Sequence, residues 1–170
     1  MRLYAGKVTT IAEEIVRELS ASQAIELENA DEARLDVEAV LREYLRRDRE
    51  LFEEARARLE QRGMGHSGIG RMRAQLARER GLPPPEEALP YLVDQILEML
   101  FHSRNVAEVF ADDVTLRKQI TPVLRRHMDV DGEVDREVRA RIRNLEEGTA
   151  AFEIEYGKVL EQIRRKRGLS

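Results

Sequence analysis

Between Val37 and Leu59 apolar residues return at three- and four-residue steps: Val37, Val40, Leu41, Tyr44, Leu45, Leu51, Phe52, Ala55 and Leu59. That spacing lays them along one face of a helix. Glu43, Arg46, Arg47, Glu50, Glu53 and Arg56 fill the other faces. A helix so long and so polar is stable only if its stripe packs on partner helices. A second stretch, 120–142, carries Ile120, Val123, Leu124, His127, Met128, Val134, Val138 and Ile142 on the same template, and predicts a twin of equal length.

The flanking segments follow the same period. Val8, Ile11, Ala12, Ile15, Val16 and Leu19 predict a first helix over 7–24, with Thr9 or Thr10 at its cap. Residues 25–29 lead to a turn at Ala30–Asp31, where Asp31 is the expected N-cap of the central helix. That helix runs to about Arg62, where Gly63, Gly65, Gly68 and Gly70 break it. A shorter helix over 70–80 ends at Gly81. Pro83, Pro84 and Pro85 form a stiff connector.

The pattern then starts again. Leu89, Leu92, Val93, Ile96, Leu97 and Leu100 repeat the first stripe at an offset of 81. Ser22 corresponds to Ser103, Ile25 to Val106, Ala30–Asp31 to Ala111–Asp112 and Leu35 to Leu116. After a two-residue insertion the offset becomes 83: Tyr44 matches His127, Asp48 matches Asp131, Leu51 matches Val134 and Leu59 matches Ile142. An ordered series with small gaps reads as internal duplication. The expected organisation is a first repeat over 1–82, a connector over 83–88 and a second repeat over 89–170, sharing one core.

Met1-Arg2-Leu3, Lys7-Val8 and Ile11-Ala12-Glu13-Glu14-Ile15 at the start, with Arg139–Leu145, Glu146-Glu147-Gly148 and Lys166-Arg167-Gly168 at the end, resemble the bacterial Domain of Unknown Function 507 family over nearly the whole chain. The resemblance implies an all-helical fold of two similar halves, a four-helix base with two protruding arms, and no assigned activity. Packing logic reaches the same expectation. Two helix pairs, each with one apolar stripe, bury their stripes as an all-α, pseudo-two-fold, antiparallel four-helix bundle. The longer central helices then project beyond about Leu51 and Val134, each packing on a short third helix to form an arm. Such arms should move relative to the base.

Composition narrows the classes. Charged residues make up 36% of the 170 residues and aromatic ones 5%, which suits solvent-facing helices rather than a sheet. Without cysteine, disulfides, thiol catalysis and thiolate-ligated zinc are excluded. The start of the chain has no uninterrupted apolar core of a signal peptide, and no run reaches bilayer-spanning length. The expectation is a soluble, cytoplasmic protein with no membrane contact.

Candidate chemistry is sparse. Asp48 and Asp131 interrupt the two stripes at matching places, with Tyr44 and His127 one turn away. They either mark where bundle packing stops, or form a carboxylate pair that binds a metal or moves a proton. Asp129–Glu133 resembles a calcium loop only faintly, because its glycine is fourth rather than sixth, and reads instead as a local weakening of the helix. The glycines of 63–70 lack the Lys-Ser/Thr of a phosphate loop, and Ser20, Ser22 and Ser67 have no base in reach. His66 and His102 stand alone and are expected at the surface or an interface. No catalytic residue, cofactor, metal site or small-molecule substrate is assigned.

Charge distribution says more. Residues 54–82 carry a net +4 and residues 136–170 a net +3, leaving −11 on the rest of a chain whose total is −4. The expected partner-contact residues are Arg71, Arg73, Arg78 and Arg80 on one arm and Arg164, Arg165, Lys166 and Arg167 on the other. The leading expectation is a non-enzymatic interaction or scaffold protein whose basic arms meet an unidentified protein or other anionic macromolecule. The alternative is sequence-independent nucleic-acid binding through backbone phosphates. A remote third is a metal-dependent enzyme using Asp48, Asp131 and His127. Met64, Met72, Leu76, Val159, Leu160 and Ile163 are left either to pack within the arms or to make a dimer contact.

Overall fold

The computed structural model describes residues 1–65 and 67–169. Its first helix, α1 (Val8–Ala21), follows a 3-10 turn at Ala5–Lys7 and buries all six stripe residues expected of it. Neither Thr9 nor Thr10 caps it. Lys7 holds the cap position without a side-chain bond, and the Thr9 hydroxyl instead donates to Glu38 across the α1–α2 contact. Glu38, buried in the stripe of α2 (Ala30–Gln61), also takes Arg34 at 3.0 Å and Arg42 at 3.5 Å, which offsets the cost of burying a carboxylate. The cap of α2 is Asn29, whose side chain accepts from the Glu32 amide at 3.1 Å. Asp31 is instead a first-turn acid, where the helix dipole favours it.

Arg62 is the C-cap of α2, followed by Gly63 at φ 64, and α3 covers Ile69–Glu79. His66 lies outside the described residues. The prolines lead through a 3-10 turn (Pro85–Glu87) into α4 (Ala88–His102), whose buried positions include every member of the second stripe.

The expected twin of α2 is two helices, α5 (Asp113–Met128) and α6 (Val130–Arg141), parted at Asp129, where ψ is 31. The physical reason is local. Asp129, Asp131 and Gly132 are weak helix formers clustered within four residues, whereas α2 has the good helix formers Arg46 and Arg49 at the places of Asp129 and Gly132 and only Asp48 at that of Asp131. The third helix of the second half, α7 (Ala150–Arg167), is not short. It has 18 residues, against 11 in α3.

Two strands were not expected. β1 (Ile25–Leu27) and β2 (Val106–Val109) pair antiparallel, with Ile25 opposite Val109, Glu26 opposite Glu108 and Leu27 opposite Val106. Three or four residues are too few to register a period-2 signal. The same-offset correspondence of Leu35 with Leu116 also fails. Leu35 is exposed and Leu116 fully buried, while Ala33 is buried and lies at the offset of 83. The caps agree, since Asn29 and Asp112, 83 residues apart, each accept from the amide three residues on.

Helices α1, α2, α4 and α5 pack in a ring: α1 on α2 and α5, and α4 on α2 and α5. Outside it, α3 packs on the distal half of α2, and α7 packs on α6. The two arms differ in how they join the base. Ala55, Leu59, Met72, Leu76 and Ala77 of the first arm are continuous with the core of the ring. Val130, Val134, Val138, Ile142, Phe152 and Ile163 of the second form a core of their own.

Candidate interaction surface

Asp48 and Asp131 do not form a pair with each other. Asp48 binds Arg73 from α3, and Asp131 has Arg164 of α7 at 3.7 Å together with the Tyr4 hydroxyl, which donates to it. Each aspartate thus joins a central helix to the third helix of its own arm. Desolvation and the bond to Asp131 hold the Tyr4 hydroxyl above its ordinary pKa. His127 meets neither aspartate and lies 2.5 Å from Glu14 on α1, which also pairs with Arg126. Burial alone would raise the Glu14 carboxyl, but the His127 and Arg126 contacts outweigh it and hold it below the ordinary range. Tyr44, also raised by burial, packs on Tyr91 with ring centroids 6.0 Å apart. Among the described residues, no three His, Asp or Glu side chains converge as metal ligands.

The eight expected contact residues divide by what they touch. Arg73 is held by Asp48, and Arg80 pairs with Glu54 while its carbonyl accepts from Arg47 at 2.9 Å. Arg164 faces Asp131, Arg165 pairs with Glu161 one turn earlier at 2.6 Å, and Arg167 reaches Glu133 at 3.3 Å and Glu137 at 2.8 Å. Arg71, Arg78 and Lys166 are exposed and make no ion pair among the described residues. Half of these cations, Arg73, Arg80, Arg164 and Arg167, therefore tie the two helices of an arm to each other, each exposed pair adding little by itself.

Boundaries drawn from the structure also change the charge. Val130–Arg167, the whole second arm, contains nine cations and nine carboxylates, because Asp131, Glu133 and Asp135 belong to α6. Asp135 accepts from the Tyr156 hydroxyl at 2.5 Å, which lowers the carboxyl pKa and raises that of the phenol. The first arm, residues 48–80, keeps eight cations against six carboxylates. Only the first arm is net basic.

The apolar residues of the arms also separate. Met72, Leu76 and Ile163 are buried, and Val159 and Leu160 pack partly on the second core, so all five serve the arms internally. Met64 is 51% exposed and borders a depression of about 90 Å³ lined with Leu59 and Ile69 and edged by Arg56 and Glu60. Phe52, expected in the stripe, is 46% exposed. Where α3 packs on α2, the buried face is Leu51, Ala55 and Leu59 and leaves out the neighbour at 52. Arg62 and Arg71 flank the tip in sequence, both exposed and without an ion pair among the described residues.

A larger depression, about 330 Å³, lies between the start of α2 and the end of α4. Asp36 accepts there from Ser103 at 2.5 Å and from Asn105 at 2.9 Å, and His102 Nδ1 sits 2.7 Å from the Glu98 carbonyl. Glu14, Glu38, Tyr4 and Tyr91 had no signal in the sequence pattern. Each makes a side-chain contact with a residue at least 29 positions away.

The family described as protein of unknown function (DUF507) matches residues 1–169 of the 170, and the chain belongs to it. No curated protein matches the chain.

Proposed function

We propose that this member of the DUF507 family is a non-enzymatic, cytoplasmic interaction protein that meets an acidic protein surface through the tip of its first arm. The observation that carries the reading is the combination at that tip. Met64 stands exposed over an apolar depression, and Arg62 and Arg71, not engaged in ion pairs among the described residues, flank it. Methionine adapts to irregular apolar contacts, and unpaired arginines favour carboxylates. A nucleic-acid backbone would use the arginines but gain little from the methionine. That argument favours a protein partner over the alternative, phosphate-backbone binding.

An internally duplicated, pseudo-two-fold base belongs to the same proposal, as the rigid part that holds the arms. Three pairs of contacts related by offsets of 81 to 83 support it. Ser22 donates to Gln119 at 2.8 Å as Ser103 donates to Asp36. The Ala24 carbonyl accepts from the amides of Phe110 and Ala111, as the Asn105 carbonyl accepts from those of Glu28 and Asn29. Asn29 and Asp112 cap matching helices. Among the described residues no helix is long and apolar enough to cross a membrane.

The test compares wild type with Met64→Glu and Arg71→Glu in quantitative capture from native lysate and in fluorescence anisotropy with mixed duplex DNA and with RNA. The expected result is an acidic protein whose recovery falls for both variants and declines with salt. Capture indifferent to both substitutions refutes the reading. Nucleic-acid binding that falls with Arg71→Glu and ignores Met64→Glu replaces it with the phosphate-backbone alternative.

A further inference from the structure

The two arms are joined to the base by different means. The first arm is the continuation of an unbroken helix, α2, and its apolar residues extend the core of the ring. Arg47 adds side-chain ties from α2 to the Arg80 carbonyl and to the Tyr91 hydroxyl at 3.2 Å. Moving that arm requires opening helical hydrogen bonds in the middle of a long helix. The second arm hangs from Asp129, where α5 has ended and α6 begins, and its core is separate from that of the ring. Gly132, in the first turn beyond the break, adds backbone freedom at that point.

One short segment crosses this joint. The Arg2 amide donates to the Met128 carbonyl at 3.0 Å, on the base side. Leu3 is 3% exposed within the core of the ring. Tyr4 packs on the core of the second arm, and its hydroxyl donates to Asp131 on the arm side. The Arg2 guanidinium lies 5.0 Å over the Tyr4 ring, a geometry that favours a cation over an aromatic face. Arg164 of α7 approaches the same Asp131 carboxylate. Three consecutive residues thus anchor in the base, in the base again, and in the arm.

We infer that Arg2–Tyr4 is a latch that sets the position of the second arm, and that releasing Tyr4 frees α6 and α7 to swing about Asp129 while the first arm stays fixed. The inference concerns the second arm alone and does not depend on what the first arm binds. A partner that takes hold of Tyr4 or neutralises Asp131 would unlock the arm, which gives the fold a two-position element that a ligand can bias.

Because the chain has no cysteine, paired labels can be introduced cleanly. Glu13→Cys on α1 with Lys166→Cys on α7 reports the second arm, and Glu13→Cys with Arg71→Cys on α3 reports the first. All three sites are exposed. In Tyr4→Ala the distance distribution of the Glu13–Lys166 pair should broaden and that of the Glu13–Arg71 pair should not. Hydrogen exchange of α6 and α7 should rise by about tenfold, the scale set by losing one hydrogen bond and some packing. Tyr4→Phe, which keeps the ring, should raise it by a few-fold. An unchanged Glu13–Lys166 distribution in Tyr4→Ala overturns the latch, as does equal broadening in both arms. Should Tyr4→Ala lose its helical circular dichroism, the same readouts on Tyr4→Phe decide, and unchanged exchange in α6 and α7 overturns the proposal.

Discussion

Replacing Ile163 with alanine tests the most consequential feature of the packing, the separate core of the second arm. Ile163 is 1% exposed and shares that core with Val130, Val134, Val138, Ile142 and Phe152. Truncating a buried isoleucine to alanine costs about 2–5 kcal/mol, from lost transfer energy and the cavity left behind. Five buried apolar partners remain, each contributing about 1.5–3 kcal/mol before the entropy of ordering two helices is subtracted. A loss of this size is large for so small a unit. Because α7 packs on α6 rather than on the ring, the loss should appear as local unfolding. Hydrogen exchange followed by mass spectrometry should show α6 and α7 opening about 30- to 4000-fold more often, which is 2–5 kcal/mol at tenfold per ~1.4 kcal/mol. Peptides from α1, α4 and α5 should keep their protection. Leu124→Ala supplies the contrast, since Leu124 is fully buried in the core of the ring. That substitution should accelerate exchange throughout the base. If Ile163→Ala instead raised exchange evenly over every helix, the two cores would be one cooperative unit and the reasoning would fail.

Other expectations follow from single contacts. Asn29→Ala removes the acceptor for the Glu32 amide and should lower stability by about 0.5–2 kcal/mol in denaturant titrations, with Asn29→Asp restoring it. Asp112→Ala should have a similar cost, because its side chain caps α5 in the same way. The Glu14 carboxyl is held below its ordinary value of 4.5. The unfolded chain therefore takes up the proton first, and the stability this group provides is present above that value and lost as pH falls below it. Denaturation midpoints measured from neutral pH downward should decline less steeply in that acid window for Glu14→Gln than for wild type. An equal decline would place the acid sensitivity elsewhere. Asp48→Asn should loosen α3 without affecting α7, and Asp131→Asn the reverse, as read by exchange in each helix.

Much of the base was legible in the sequence because helical burial is periodic. All six stripe positions of α1 and all six of its counterpart in α4 are core, and so are Val37, Leu41, Leu51, Ala55 and Leu59 in α2. These side chains point inward whatever they meet, since their spacing alone decides the face. The same template misread Phe52, because the width of a buried face depends on what covers it, and the face buried on this part of α2 is Leu51, Ala55 and Leu59. The break at Asp129 was visible as a run of weak helix formers, but apolar periodicity continues across it through Val134 and Val138, so the stripe concealed the hinge.

The candidate site was less legible, for an electrostatic reason. Sequence counts charges and their signs, and it located the arginine clusters of both arms. Whether a cation is available to a partner depends on which carboxylate folds beside it. Arg73 finds Asp48 from 25 residues away, and Arg167 finds Glu133 and Glu137 from 34 and 30. Residue order was enough to read a mostly helical chain, the faces its helices bury and the residues able to carry charge. The boundaries that make the second arm neutral, the tie of Asp48 and Asp131 each to its own arm and the place of Tyr4 across the joint emerge from folding. Periodicity is a property of one helix, whereas ion pairing, exposure and hinging are properties of two elements brought together.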